Sequence, residues 1–425
     1  MGDHMAGKYL PRLIDKTIDF YLETFGAILL EGPKWCGKTT TASIHSKSIL
    51  KMQDPDQSKN FMKIADANPS ILLEGETPRL IDEWQMAPVL WDAVRSEVDK
   101  REIPGQYILT GSVTPPKDSV MHTGTGRIAR LAMRTMSLSE SGDSNGLVSL
   151  KSLFEGKLQI SAQSKLTIKD LTFLVCRGGW PQAVGKSERS SLLIANQYVK
   201  SIYNNDLLKQ AGITKDPKRM QAVLRSYARN IETLASNKVI LEDIKSRDVG
   251  ISEATLYSYF NILERLFIIE ETSAWAPRVR SKTALRTSNK KGFVDPSIAA
   301  AILGLTPDML LKDFETFGFL FESMCIRDLR IYAEQLDGEV FHYHDQYGLE
   351  SDAIIRLNNG NYALIEVKLG NKSEERGAKN LKKLESLLTN NGHPETAFKM
   401  ILTGGEYAYK REDGVLVVPL GCLGI

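Results

Sequence analysis

The most chemically explicit stretch of the sequence is Gly32-Pro33-Lys34-Trp35-Cys36-Gly37-Lys38-Thr39, followed by Thr40 and Thr41. Residues 32–39 fit the pattern G-x-x-x-x-G-K-[ST]. Gly32 and Gly37 let the backbone curl so that peptide N–H groups face phosphate oxygens. A helix opening at Lys38 adds the field of its amino terminus. The Lys38 ammonium reaches the outer phosphates, and the Thr39 hydroxyl offers a ligand to magnesium. Pro33, Lys34, Trp35, Cys36 and Thr40 complete the loop, with Cys36 reading as loop filler rather than a reactive thiol. The implied ligands are ATP or ADP with Mg2+.

Three more groups extend this chemistry. Leu80-Ile81-Asp82-Glu83 ends a strand with two acids. Asp82 is placed to hold magnesium through water, and Glu83 to polarise the attacking water. Thr110-Gly111-Ser112 is the next polar strand end, and Ser112 is its candidate for positioning that water or sensing the γ-phosphate. Arg127 and Arg130, with Arg134 behind them, are candidates for the arginine that neutralises charge in phosphoryl transfer. Arg127 leads because Gly124 and Gly126 precede it. Such an arginine is often supplied by a neighbouring subunit, which implies a homo-oligomer.

The elements needed to position these groups are legible. Ala27-Ile28-Leu29-Leu30 reads as a buried parallel strand entering the glycine turn. Helices are expected from Lys38 and over Trp91–Val98, and a strand over Tyr107–Leu109. Strands alternating with helices indicate an α/β sheet. Residues 113–126 read as a surface loop, and 141–170 as a partly helical insertion. Residues 190–275 read as mainly helical. Within them Leu256, Tyr259, Phe260, Leu263 and Leu266 share one apolar face. Phe267-Ile268-Ile269 then leaves as a short strand, as in a winged helix. Residues 278–291 hold Arg278, Arg280, Lys282, Arg286, Lys290 and Lys291 and no acid, which suits contacts to DNA phosphates. A helix over 311–333 precedes strands at 339–344, 352–357, 362–368 and 397–402, a helix at 379–388, and a strand near 415–418.

Composition sets the limits. The 425 residues are 42% apolar and 25% charged, with 54 Lys plus Arg against 52 Asp plus Glu. That balance excludes a strongly basic coat protein and wholesale disorder. Cys36, Cys176, Cys325 and Cys422 are far apart, so neither a zinc knuckle nor a disulfide framework is indicated, and a cytoplasmic setting is expected. No apolar run reaches the roughly 18 residues of a membrane helix, so no membrane association is expected. Gly2, Asp3 and His4 read as a cloning remnant before Met5.

The chain resembles a large prokaryotic family of AAA-type ATPases with a C-terminal DUF4143 domain. Gly32–Thr40 and Leu80–Gln85 resemble its two Walker motifs, and Leu109–Ser112 its sensor strand. Gly126–Leu131 with Met136-Ser137-Leu138, Gly178-Gly179-Trp180-Pro181 and Phe293-Val294-Asp295-Pro296 resemble its later signatures. The resemblance implies a P-loop AAA-type ATPase domain (6–189), a helical winged-helix-like middle domain (190–291) and a restriction-endonuclease-like α/β domain (292–425). In that last domain Asp352 opens one strand, and Glu366 and Lys368 share a face of the next. Glu322 on the preceding helix joins them. Asp352, Glu366 and Glu322 are then candidate ligands for magnesium or manganese, and Lys368 a candidate to orient water on a phosphodiester. His342 and His344 read as packed or surface residues.

The favoured expectation is an ATP-binding, Mg2+-dependent ATPase that acts on or with double-stranded or branched DNA, with Asp352, Glu366 and Lys368 as a nuclease-like site. The alternative is a nucleotide-gated regulatory or protein-interaction switch whose nuclease-like domain is inactive. A third expectation is a DNA-binding structural module that uses ATP only to assemble.

Overall fold

The computed structural model describes residues 9–113, 124–204, 215–246, 249–276, 288–370 and 374–425. Arg278, Arg280, Lys282 and Arg286 lie outside them. The chain forms two compact units, Met1–Thr135 with Ile262–Ile268 and Met136–Asn261 with Ile269–Ile425. Among the described residues no helix is long and apolar enough to cross a membrane.

The first unit is a parallel sheet between helices. Helix α1 (Ile14–Thr24) leads into β1 (Ala27–Glu31), α2 (Lys38–Ile44), β2 (Ser48–Lys51) and α3 (Ser58–Ala67). Strand β3 (Arg79–Asp82), α4 (Val89–Arg101), β4 (Tyr107–Gly111) and β5 (Ile128–Ala132) follow. The strand order is β2-β3-β4-β1-β5, every pair parallel. A sheet covered on both faces needs strands apolar on both faces. Strand β1 meets that need: Ala27 and Leu29 pack with Trp84, Trp91 and Val94, whereas Ile28 and Leu30 pack with Ile18, Cys36 and Ala42. That order puts the carboxyl end of β1 between those of β4 and β5, and Asp82 at the end of β3 lies opposite Thr110 of β4.

The second unit centres on a seven-stranded mixed sheet of order β7-β12-β13-β11-β10-β9-β8. Its strands are β7 (Ala162–Gln163), β8 (Gly338–His344), β9 (Glu350–Leu357), β10 (Tyr362–Lys368), β11 (Phe398–Thr403), β12 (Tyr407–Lys410) and β13 (Leu416–Pro419). A short parallel pair, β6 (Val148–Ser149) with β14 (Leu423–Gly424), stands apart. Strands β8, β9 and β10 form an antiparallel meander, and β10, β11 and β13 are parallel. The expected hairpin between β9 and β10 forms at residues 358–361, with Gly360 at a φ of 88°. The helix Glu374–Asn390 crosses from β10 to β11 and buries Leu381, Leu384 and Leu388 against Ile354, Leu364 and Ile401. It starts earlier than the 379–388 expected from sequence.

One buried ion network joins three of the sequence signatures. Arg327, on the long helix Phe314–Glu334, lies 3.1 Å from Asp295 and 2.7 Å from Asp328. Asp328 accepts the Leu138 N–H at 2.9 Å, and Asp295 accepts the Gly179 N–H at 2.9 Å. The Met136 N–H donates to the Gly179 carbonyl at 2.7 Å. A side chain at Gly179 would sit 2.0 Å from the Met136 carbonyl oxygen, so glycine is required there. The Trp180 indole donates to Ser297, whose hydroxyl donates to Asp295. These signatures therefore hold the unit's core together.

The expected strand over Phe267–Ile269 is corrected. Phe267 takes a φ of 54° and the chain turns there, its N–H donating to the Glu264 carbonyl. Pairing begins at Ile269 with Phe293 and continues at Thr272 with Lys290, while Ala274 bridges His342 of β8.

Replacing Arg327 by Met removes the guanidinium held by Asp295 and Asp328, both fully buried. The expected cost is about 3–5 kcal/mol, read from urea unfolding together with faster hydrogen exchange over residues 136–180. An unchanged midpoint would contradict the structural role.

Candidate functional site

The phosphate loop leaves β1 at Glu31. Gly32 has a φ of 157°, and a side chain on it would lie 2.0 Å from the Met133 carbonyl oxygen. Gly37, at a φ of 102°, precedes α2. Lys38 is 5% exposed, and its ammonium folds back over the loop onto the carbonyls of Gly32 at 2.9 Å and Pro33 at 2.8 Å. Those carbonyls hold the ammonium where desolvation would otherwise penalise it. Lys34 is half-buried; burial lowers its pKa and nearby Glu83 opposes that.

Sequence reasoning missed Arg12. Its guanidinium donates to the Cys36 carbonyl at 2.9 Å and to the Arg134 carbonyl at 2.9 Å, tying the loop to the segment after β5. A single arginine ahead of the first helix carries no motif, so only the folded chain reveals it.

Asp82 is the hub of hydrogen bonds at the carboxyl end of the sheet. Its Oδ1 accepts the Thr39 hydroxyl at 2.6 Å and the Thr110 hydroxyl at 2.6 Å. The Glu83 N–H donates to the Thr110 hydroxyl oxygen at 3.2 Å. Glu83 sits in the left-handed region, at φ 57° and ψ 47°. Its carboxylate accepts the Ser112 hydroxyl at 3.0 Å and the Gln85 amide. Thus Lys38, Thr39, Asp82, Glu83 and Ser112 are brought to one end of the sheet. Thr110 acts as the bridge among them, and Gln85 is an additional partner. The Thr39 hydroxyl and Asp82 carboxylate are hard oxygen donors in mutual contact, a set that fits Mg2+.

The arginines are distributed differently. Ile128 lies opposite Ala27, so Arg127 sits at the amino end of β1, roughly 13 Å of strand from the phosphate loop. Its guanidinium pairs with Asp99 at 2.7 Å on the surface. Arg130 pairs with Glu31 at 3.2 Å and covers the Trp91 ring at 5.1 Å. Burial raises the Glu31 pKa, with Arg130 opposing.

In the second unit, Glu322 on the long helix, Asp352 on β9 and Glu366 and Lys368 on β10 do converge. The Lys368 ammonium lies 2.7 Å from Glu366 and 3.6 Å from Asp352. Asp352 also accepts the Val367 N–H at 2.8 Å. Sequence reasoning did not place Lys290 here. Its ammonium lies 2.5 Å from Glu322 and 3.3 Å from Asp352. Burial raises the Asp352 pKa, but Lys290 and Lys368 outweigh it and hold the carboxyl low. Burial, with Asp352 adding, pushes Glu366 up to about 7. Burial, again with Asp352 adding, holds Glu322 well above the usual carboxylate range.

Among the described residues, no group of three or more His, Cys, Asp and Glu is arranged to hold a metal ion. The expected Glu322–Asp352–Glu366 magnesium site is therefore corrected: a lysine ammonium stands between two of its carboxylates. The phosphate-contact reading of Lys290 and Lys291 is corrected with it. Lys291 is 5% exposed and donates to Glu271 at 2.5 Å and Asn237 at 3.0 Å.

Comparison with known proteins agrees with part of this picture. Residues 24–142 match the family described as AAA domain. Residues 168–309 match a domain of unknown function, DUF8612, and 317–423 match another, DUF4143. An uncharacterized protein of Mycobacterium tuberculosis is 22% identical over 400 residues, covering 92% of this chain and 79% of that one. An uncharacterized protein of Haemophilus influenzae is 27% identical over 157 residues, covering 37% of this chain and 38% of that one. A Walker-type ATPase of Pyrococcus abyssi aligns with a TM-score of 0.41 and 13% identity, over 68% of this chain and 94% of that one. Residues 24–142 carry an AAA domain, and the chain is an ATPase. The expected AAA and DUF4143 regions are both present, and the DUF8612 region between them was not anticipated.

Replacing Arg12 by Met removes the guanidinium contacts to the loop carbonyl of Cys36 and to the Arg134 carbonyl after β5. Charged hydrogen bonds of this kind contribute about 1.5–3 kcal/mol. ATP affinity is expected to fall roughly ten- to a hundredfold, measured by titration with a fluorescent nucleotide; an unchanged affinity would remove Arg12 from the site.

Proposed function

We propose that this chain is a Mg2+-dependent ATPase that works as a nucleotide-gated switch, with a nuclease-like second unit that does not cut nucleic acid. The observation carrying the gated part is the continuous contact Thr39–Asp82–Thr110–Glu83–Ser112. A change at the phosphate loop is passed through it to the ends of β3 and β4.

In this reading ATP draws the Lys38 ammonium from the Gly32 and Pro33 carbonyls onto the β- and γ-phosphates. Thr39 and Asp82 would hold Mg2+, which when bound neutralises phosphate charge. Glu83, released by Ser112 and Gln85, accepts a proton from the attacking water. Hydrolysis returns Lys38 to its carbonyls and Glu83 to its hydroxyl partner. Arg127, remote from its own phosphate loop and exposed, suits a role only toward another copy of the chain.

Two observations favour the non-cleaving alternative over DNA cleavage. Lys290 occupies the carboxylate cluster, and Lys291 is buried in an ion pair. The helix Glu253–Arg265 of the winged-helix-like region holds Arg265 as its one basic residue, little charge for contact with DNA phosphates.

The test measures ATP turnover and Mg2+- or Mn2+-dependent DNA cleavage together. Glu83→Gln is expected to keep ATP affinity and lose turnover by about 10²–10⁴-fold. Lys38→Ala is expected to lose nucleotide binding, and no preparation should cut DNA. Cleavage by the wild type that disappears in Asp352→Ala would overturn the non-cleaving reading.

A further inference from the structure

Beyond the carboxyl ends of the parallel strands β10 and β11 the second unit holds a cavity of about 400 Å³. Open α/β sheets take ligands at that end of their strands. The volume lies toward the small end of the roughly 300–1,000 Å³ of ligand pockets, which suits a small molecule. Leu369 after β10, Leu166 and Ile168 at the start of the helix Ile168–Arg177, and Val417 of β13 give it an apolar wall. The charged groups at its rim and floor are of one sign. Glu374 and Glu406 line it, and none of the described lining residues is basic.

Glu374 is the buried member of that pair. It is 7% exposed and opens the helix Glu374–Asn390, whose amino terminus favours a negative charge there. Its Oε2 accepts the Tyr409 hydroxyl at 2.8 Å. Burial, and then Glu374 itself, raise the Tyr409 pKa, so the phenol keeps its proton and donates. Among the described residues no other side chain bonds to this carboxylate and no cation pairs with it. Asp352 and Glu366 on the same sheet, by contrast, each meet an ammonium. A carboxylate out of water with one phenol as partner keeps both unused acceptor capacity and an unbalanced charge.

Aromatic rings stand beside it. Tyr407 and Tyr409 are two residues apart on β12 and so share one face of the strand. They are 58% and 40% exposed, whereas Ala408 between them is buried on the other face. Tyrosine rings next to a carboxylate attract a cation in two ways, through the ring quadrupole and through the charge.

We infer that this cavity binds a small organic cation, an amine or guanidinium on a short apolar stem, with Glu374 as its counter-charge. The charged head pairs with Glu374 beside the Tyr407 and Tyr409 rings, and the stem lies along Leu166, Ile168 and Leu369. A metal ion is a poor fit, because Mg2+ and Ca2+ take six or more oxygen ligands and this wall is mostly apolar. Neither the phosphate loop nor the Lys290 cluster contributes a residue to the cavity.

The test titrates the full chain with agmatine, a guanidinium and an amine joined by a butyl stem. Binding is read by calorimetry and by saturation transfer to the agmatine methylene protons. Butylammonium is the simpler cationic probe, and butanol and butyrate are the neutral and anionic controls. Agmatine and butylammonium are expected to saturate a single site with a Kd of about 1 mM or tighter, and the controls to show no binding. Glu374→Gln keeps the side-chain shape and is expected to weaken agmatine about tenfold or more. Tyr407→Ala, at an exposed position, is expected to weaken it about two- to fivefold.

Failure of both cations to bind the wild type at about 10 mM overturns the inference. So does butyrate binding as tightly as agmatine, or an agmatine affinity unchanged in folded Glu374→Gln. If Glu374→Gln does not fold, Tyr407→Ala decides: a fall in affinity supports the site, and an unchanged affinity overturns it.

Discussion

A charge withdrawn from water must meet its counter-charge or neutral dipoles, because leaving one ion uncompensated costs several kcal/mol. Much of this protein's architecture follows from that constraint. Arg327, 2% exposed, is held by Asp295 and Asp328, and those two acids in turn accept the N–H groups of Gly179 and Leu138. Breaking any link strands the others. The segments around 138, 179 and 295, distant in sequence, therefore share one structural task.

The same long helix that supplies Arg327 supplies Glu322 about one and a half turns earlier. One rigid element thus sets both the clamp that holds the unit and the acidic cluster on its sheet. Glu322 meets Asp352 and Glu366 because β9 and β10 are adjacent antiparallel strands with Ala353 opposite Ile365. The arrangement resembles what a metal-dependent hydrolase needs in residue type, yet Lys290 changes its chemistry. An ammonium balances carboxylate charge but has no vacant coordination position and cannot activate a bound water as a metal does.

In the first unit neutral dipoles hold the buried charge. The Lys38 ammonium rests on two loop carbonyls, interactions that a phosphate can replace with stronger ones. Asp82 accepts two hydroxyls, which leaves the Thr39 hydroxyl and the carboxylate together, as the proposed Mg2+ binding needs. In the proposed cycle Lys38 extends from its loop carbonyls and Glu83 leaves Ser112 and Gln85.

How much of this was legible in sequence depended on the range of the interaction. The phosphate loop, Asp82, Glu83 and the strands β1, β3, β4, β8 to β11 and β13 were readable, because local backbone geometry and apolar periodicity specify them within a few residues, whereas the edge strands β2, β5 and β7 and the short β12 were not. The convergence of Glu322, Asp352, Glu366 and Lys368 was readable from strand alternation and the resemblance together. The short strand at Phe267 was misread because an apolar triplet has strand character but no way to signal the turn that tertiary packing imposes. Arg12, Lys290 and the Arg327 clamp were not readable at all, and Lys290 stood in a basic run that looked like a phosphate contact. Amino-acid order determined which charges exist and which neighbours curl around phosphate. Only the tertiary structure decided which buried charge meets which, since the partners lie tens to more than a hundred residues apart and desolvation penalises every other pairing.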